Sequence, residues 1–140
     1  MIDVVSQEKR FVFTKFTHED AFQFGLKVLE VVKEEGLKNV RIRVTCDNDI
    51  VFQYLMNDKN GEMWLNRKEK TVMESGHASL YVFQNQNQYK HMLDNDEYAV
   101  CGGGFPLIIN GEVRGTLITS GLDHEDDHML IIKALEKMGR

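Results

Sequence analysis

At 140 residues, 42% of them hydrophobic, the chain has the length and composition of one globular domain spanning 1–140, and a chain this size typically buries about 68% of its unfolded surface without disulfide or metal staples. Twenty-two acidic against 17 basic residues give a net charge of −5, which argues against nucleic acid or an anionic membrane as the main partner. No apolar run approaches the ~18 residues of a spanning helix, the opening MIDVVSQEKRF lacks a signal-peptide pattern, and Cys46 and Cys101, far apart and outside any CxxC spacing, fit a reduced, cytoplasmic protein.

Residues 1–9 read as a frayed turn or short helix, and the aromatic, β-prone Arg10–Phe16 (RFVFTKF) as a strand. Thr17 stands three residues before Asp20, a helix-start signature. The helix that follows carries Phe22, Leu26, Leu29 and Val32-Lys33 at helical spacing and stops at Gly36. Val40–Thr45 and Ile50–Met56 are two β-rich runs joined by a turn at Cys46-Asp47-Asn48-Asp49. Val40, Ile42 and Val44 alternate with Arg41, Arg43 and Thr45, which predicts one buried and one polar face, as in antiparallel sheets. Asn57–Gly61 is loop, and Glu62–Ser75 is a helix ending at Gly76, with Trp64, Lys68 and Thr71-Val72 on one side and Arg67 beside it. Ala78–Gln88 is ambiguous, because the run Leu80-Tyr81-Val82-Phe83 suits a strand or a buried helix equally. Leu93–Glu97 reads as acidic linker.

The densest signal follows. Phe105–Ile109 and Val113–Thr119 flank Asn110-Gly111, a pattern that specifies a hairpin with a type I′ turn. Cys101-Gly102-Gly103-Gly104 precedes the hairpin, and glycines there suit a main chain that takes unusual backbone angles or approaches a ligand closely. The last helix runs from about Asp123 to Met138, with Asp123 able to cap it, acidic residues in its first turn, and a stripe of His128, Ile131, Ile132, Leu135 and Met138. The sum is an α/β (α+β) domain on about five largely antiparallel strands.

Several residues could carry chemistry. His124-Glu125-Asp126-Asp127-His128 spells HExxH, in which two histidines one turn apart bind zinc. The match sits in the first turn of its helix, and Glu136, two turns on, is too far to complete a metal site, so no metal is expected. His128 lies on the apolar stripe near the glycine loop. It is either a core histidine hydrogen-bonded internally or a pocket-lining group, and with Asp127 it is the candidate acid/base pair. His77, just past Gly76, is either a helix-terminal residue or a ligand contact, whereas His18 and His91 read as surface residues. Trp64, Arg67 and Lys68 form an aromatic and basic cluster that could clamp an anion or stack a planar ring. The plainer alternative places Trp64 in the core and leaves the basic residues solvated. Gly102, Gly103 and Gly104 could offer amides to an anion, although they match neither GxGxxG nor a P-loop.

These motifs together resemble one family. Gly102-Gly103-Gly104-Phe105-Pro106, Gly115 in the second hairpin strand, Ser120-Gly121-Leu122 and Asp127-His128-x-Leu130 are similar to the GlcG/HbpS-like haem-degrading domain. The Trp64-x-x-Arg67-Lys68 helix, Gly76-His77-x-Ser79, and Thr17-x-Glu19-Asp20-Ala21 resemble its stand-alone bacterial and fungal branch. The likeness implies a profilin-like three-layer α-β-α fold around a five-stranded, mainly antiparallel sheet, and a homo-oligomer. It also makes haem a candidate cofactor, because relatives include an extracellular haem-binding sensor. Motifs and resemblance jointly point to a shared pocket for Trp64, Arg67, Gly102–Gly104 and His128, with Lys68 and His77 as further ligand-binding candidates. Three readings follow: a small-molecule-binding domain for a haem, tetrapyrrole or other planar anionic ligand; an enzyme on a small carboxylate or carbonyl substrate; or an oligomeric structural protein.

Overall fold

The structure, a computed structural model, describes residues 1–139. It holds a four-stranded sheet, β1 (Arg41–Cys46), β2 (Asp49–Leu55), β3 (Gly104–Ile109) and β4 (Glu112–Ser120), in the order β2-β1-β4-β3 with every pairing antiparallel. Six helices accompany it: α1 (Val4–Arg10), α2 (His18–Glu35), α3 (Met63–Ser75), α4 (Ser79–Gln84), α5 (Lys90–Leu93) and α6 (His124–Lys137).

The fifth strand expected at Arg10–Phe16 does not form. Phe13 makes only an isolated parallel bridge to Ile109, and the amide of Phe11 bonds back to Gln7 as the end of α1. The aromatic content of this segment serves burial instead: Phe11 and Phe13 are core residues, anchoring an irregular stretch against β3. The ambiguous run 80–83 resolves as α4, whose Leu80 and Val82 are buried.

Helices α2 and α6 pack on each other and on one face of the sheet. There Phe24, Val28 and Val31 of α2 meet Ile42 and Val44 of β1, Leu107 of β3, Leu117 of β4 and Ile131 of α6. Thr17 and Asp20 close a reciprocal capping box at the start of α2. Its buried face is rotated from the expected stripe: Phe22 and Leu26 are exposed, and Ala21, Phe24, Gly25 and Val28 point inward. A Cβ on Gly25 would collide with the Phe52 ring, so the helix lies close to β2 by presenting its smallest residue.

The opposite face is covered by α3, so the polar side of β1 is not solvated as its alternation suggested. Arg43 is 2% exposed and donates to Gln53, Asn66, Glu62 and Glu69. Thr45 shares a 2.7 Å hydrogen bond with Thr116, its cross-strand partner. A buried guanidinium is tolerated because each of its three nitrogens donates to an acceptor.

Asn110 (φ 50°) and Gly111 (φ 81°) both take the left-handed backbone that a type I′ turn requires, and they join β3 to β4.

Candidate ligand cleft

Lys68 is the residue around which the two layers meet. It sits on the inner side of α3, one turn after Trp64, and its ammonium reaches past the end of β4 to the other layer. There Nζ donates to the Thr119 carbonyl at 2.9 Å and to Asp127 Oδ2 at 3.1 Å. Both side chains of this ion pair are nearly inaccessible, at 3% and 4%. Asp127 also accepts from the amides of Leu122 at 3.0 Å and Gly121 at 3.4 Å, so it ties the β4–α6 connection together. Asp123 occupies the cap position of α6 but makes no side-chain cap bond, contrary to expectation. Burial raises the Asp127 carboxyl above the usual carboxylate range, and Lys68 with the two amides opposes that rise.

The glycine loop is shaped by this pair rather than by a ligand. Gly103 has φ 121°, and a Cβ there would strike Lys68 Nζ and the Thr119 carbonyl. A Cβ on Gly102 would strike the His124 carbonyl, and one on Gly104 would press on Val72 of α3. The Gly102 and Gly104 amides are already engaged, donating to His124 Nδ1 and Ser79 Oγ. The three glycines therefore pack α3 against α6, and the first and third offer no free amide to an anion.

Above the ion pair lies a cleft of about 320 Å³, lined by Arg41, Trp64, Lys68, Cys101, Ser120, Gly121, Leu122, His124 and Asp127. Arg41 and Ser120 face each other across β1 and β4. Arg41 donates to the carbonyls of Asn60 and Gly61, and no carboxylate of the described residues pairs with it. Trp64 is 39% exposed, so it is not core filler, and the Arg67 guanidinium lies 5.2 Å from its ring centroid, stacked on the rim rather than lining the cleft. Burial pushes the Cys101 thiol up, with Lys68 partly opposing. A depression of about 400 Å³ along Phe83–Gln88 is lined by amides and an aromatic ring and carries no ionisable side chain.

Among the described residues no group of three metal-ligating side chains assembles, and each histidine of the HExxH spelling is committed elsewhere. His124 lines the cleft with Nδ1 accepting from Gly102, so its Nε2 carries the proton. His128 does not join the cleft. Adjacent residues on a helix diverge by about 100°, so while Asp127 faces Lys68, His128 faces α1 and holds Gln7 Oε1 at 2.6 Å. It is fully buried near the Phe105 ring, its Nδ1 has no partner, and burial lowers its pKa to about 4. His77 also lies outside the cleft. Its Nδ1 is 2.8 Å from Glu8 of α1, and its ring stacks on Tyr81 at 3.9 Å. The spacing of Trp64 and Lys68 and the candidacy of Asp127 were legible in sequence. Arg41 carried no signal beyond strand alternation, and Cys101 carried only its place beside the glycines.

Residues 16–136 match the family described as haem degrading protein HbpS-like. A UPF0303 protein of Psychromonas ingrahamii is 31% identical over 143 residues, spanning 95% of this chain and 89% of its own. The crystal structure of the Ybr137w protein, whose counterpart in the curated relatives is from Saccharomyces cerevisiae, has a TM-score of 0.86 at 27% identity, covering 97% of this chain and 85% of that one. A PduOC:heme complex shares the fold at a TM-score of 0.70 and 19% identity, covering 86% of this chain and 93% of its own. The family match runs from just before α2 almost to the end of α6, and on it the chain belongs to the HbpS-like haem-degrading family.

Proposed function

We propose that the chain is a small-molecule-binding domain whose cleft takes a compact, planar ligand bearing one carboxylate. The observation that carries this reading is the Lys68–Asp127 pair buried at the floor of a cleft walled by Trp64. The pair neutralises itself, which leaves the Arg41 guanidinium as the uncompensated charge at the rim, and a guanidinium binds a carboxylate bidentately. Trp64 offers a half-exposed aromatic face for a planar ring. A volume of about 320 Å³ stands at the small end of ligand pockets, which run from about 300 to 1,000 Å³.

Haem, which the family description and the PduOC complex bring into view, does not fit this cleft. Its one histidine presents an Nε2–H, because Nδ1 must accept from Gly102, and an axial imidazole needs a free lone pair on the outer nitrogen. The cleft is accordingly assigned to a smaller ligand.

Self-association is a second part of the reading. The edge strand β2 has unpaired backbone groups, and Tyr54 and Phe52 continue with exposed Phe22 and Leu26 of α2 into an apolar flank. Antiparallel pairing of β2 with a second copy would cover that flank on both chains. Cys46 and Cys101 are both free, which accords with a reducing compartment. Isothermal titration with benzoate tests the cleft: one saturable site per chain is expected, and the absence of any binding would contradict the reading.

A further inference from the structure

Among the described residues, Lys68 is the one lysine whose ammonium is held between layers at the floor of a cleft. Two of its three N–H directions are occupied, by Thr119 O and Asp127 Oδ2, Gly103 packs against Nζ, and Lys68 lines the cleft. Stability alone does not account for such a pair, since buried ion pairs are often replaceable by apolar residues without loss. Its carboxylate is placed as a base would be, in direct contact with the amine and supported by two amides. Cys101 and Trp64 make the space above it narrow and partly apolar.

We propose that Lys68 forms an imine with a small 2-oxo acid, whose carboxylate is held by Arg41 and whose carbonyl carbon lies over Nζ. The proposal rests on the cleft reading above and deepens it by naming the reactive group. In the first step the Lys68 ammonium gives a proton to Asp127, and the free amine adds to the C2 carbonyl. The carbonyl oxygen takes up that proton to give a carbinolamine. The carbinolamine nitrogen then gives its second proton to Asp127, Asp127 passes it to the hydroxyl, and water leaves, so that a protonated C=N bond replaces C=O. No oxidant or reductant is consumed, and hydrolysis reverses every step. The raised Asp127 carboxyl suits a group that must accept and return a proton.

The test uses pyruvate with sodium cyanoborohydride, which reduces an imine to a stable carboxyethyl-lysine, followed by peptide mass mapping. Modification at Lys68 should exceed that at exposed Lys70 and Lys133 by roughly tenfold or more, because the bound carbonyl is held against the amine. Lys68→Arg should abolish the cleft adduct, and Asp127→Asn should slow it and shift its pH profile. Lactate, which has the carboxylate and no carbonyl, serves as the control through the emission of Trp64, the single tryptophan. If lactate and pyruvate both change that emission and Lys68 is labelled no faster than Lys70, the imine is refuted while the cleft reading stands. If neither acid changes the emission and no Lys68 adduct forms, both fall.

Discussion

Lys68 and Asp127 place two charges where water barely reaches them, so each depends on the other. Removing one partner leaves a buried, uncompensated charge, and Lys68→Met should destabilise the chain by about 3 to 5 kcal/mol. The double substitution Lys68→Met/Asp127→Leu should recover most of that loss in urea denaturation, because both charges then vanish together. A double variant no more stable than the single one would show that the pair is not what the site loses. His128 makes a different demand. An unfolded histidine binds protons near its ordinary value, whereas the buried one resists until about pH 4. The unfolded state therefore gains protons first, and stability falls as pH drops from about 6.5 to about 4, by about 3 kcal/mol from this residue. The raised Asp127 carboxyl acts with the opposite sign, since the folded state protonates it first. His128→Gln isolates the histidine: thermal melts between pH 7 and 4 should show a shallower loss than in the wild type, and equal slopes would contradict the burial argument.

At the scale of elements, the hairpin is the most local device. Gly111→Val forces a β-branched residue to φ 81° and should cost more than about 1 kcal/mol, read as a lower denaturation midpoint. Features of this local kind were legible in the sequence. The Thr17/Asp20 box, the stops at Gly36 and Gly76, and Asn110-Gly111 all appear where their residues said, because each is decided by a few neighbouring atoms. What was illegible depended on contacts from elsewhere. Arg10–Phe16 has strand residues but reaches the sheet only at Phe13, and α2 turned its Gly25 side inward because Phe52 needed the room. The site divides the same way. Trp64 and Lys68 follow from helical spacing, whereas the partner that His128 meets, Gln7 of α1, comes from the far end of the chain, and Arg41 reaches the cleft only through its register with Ser120. The glycines read as positions for unusual backbone angles or close approach to a ligand, and what approaches them is the protein itself.

The whole molecule presents two separate surfaces. The α2/β2 flank is the candidate for a second copy. Phe22→Glu with Tyr54→Lys should reduce the sedimenting mass to that of one chain while leaving the cleft intact, and an unchanged mass would place self-association elsewhere. The cleft lies at the Arg41 end of β1 on the face covered by α3, opposite the face that carries Tyr54, and there α3 and α6 are tied by a single ion pair. Its central claim is tested most directly by titrating benzoate against Trp64 emission, in the wild type and in Arg41→Gln. The account predicts a saturable change whose midpoint moves to roughly tenfold higher benzoate in the variant, the loss expected when one charged hydrogen-bonding partner is removed. Emission that stays constant in the wild type, or a midpoint indifferent to Arg41, would contradict it.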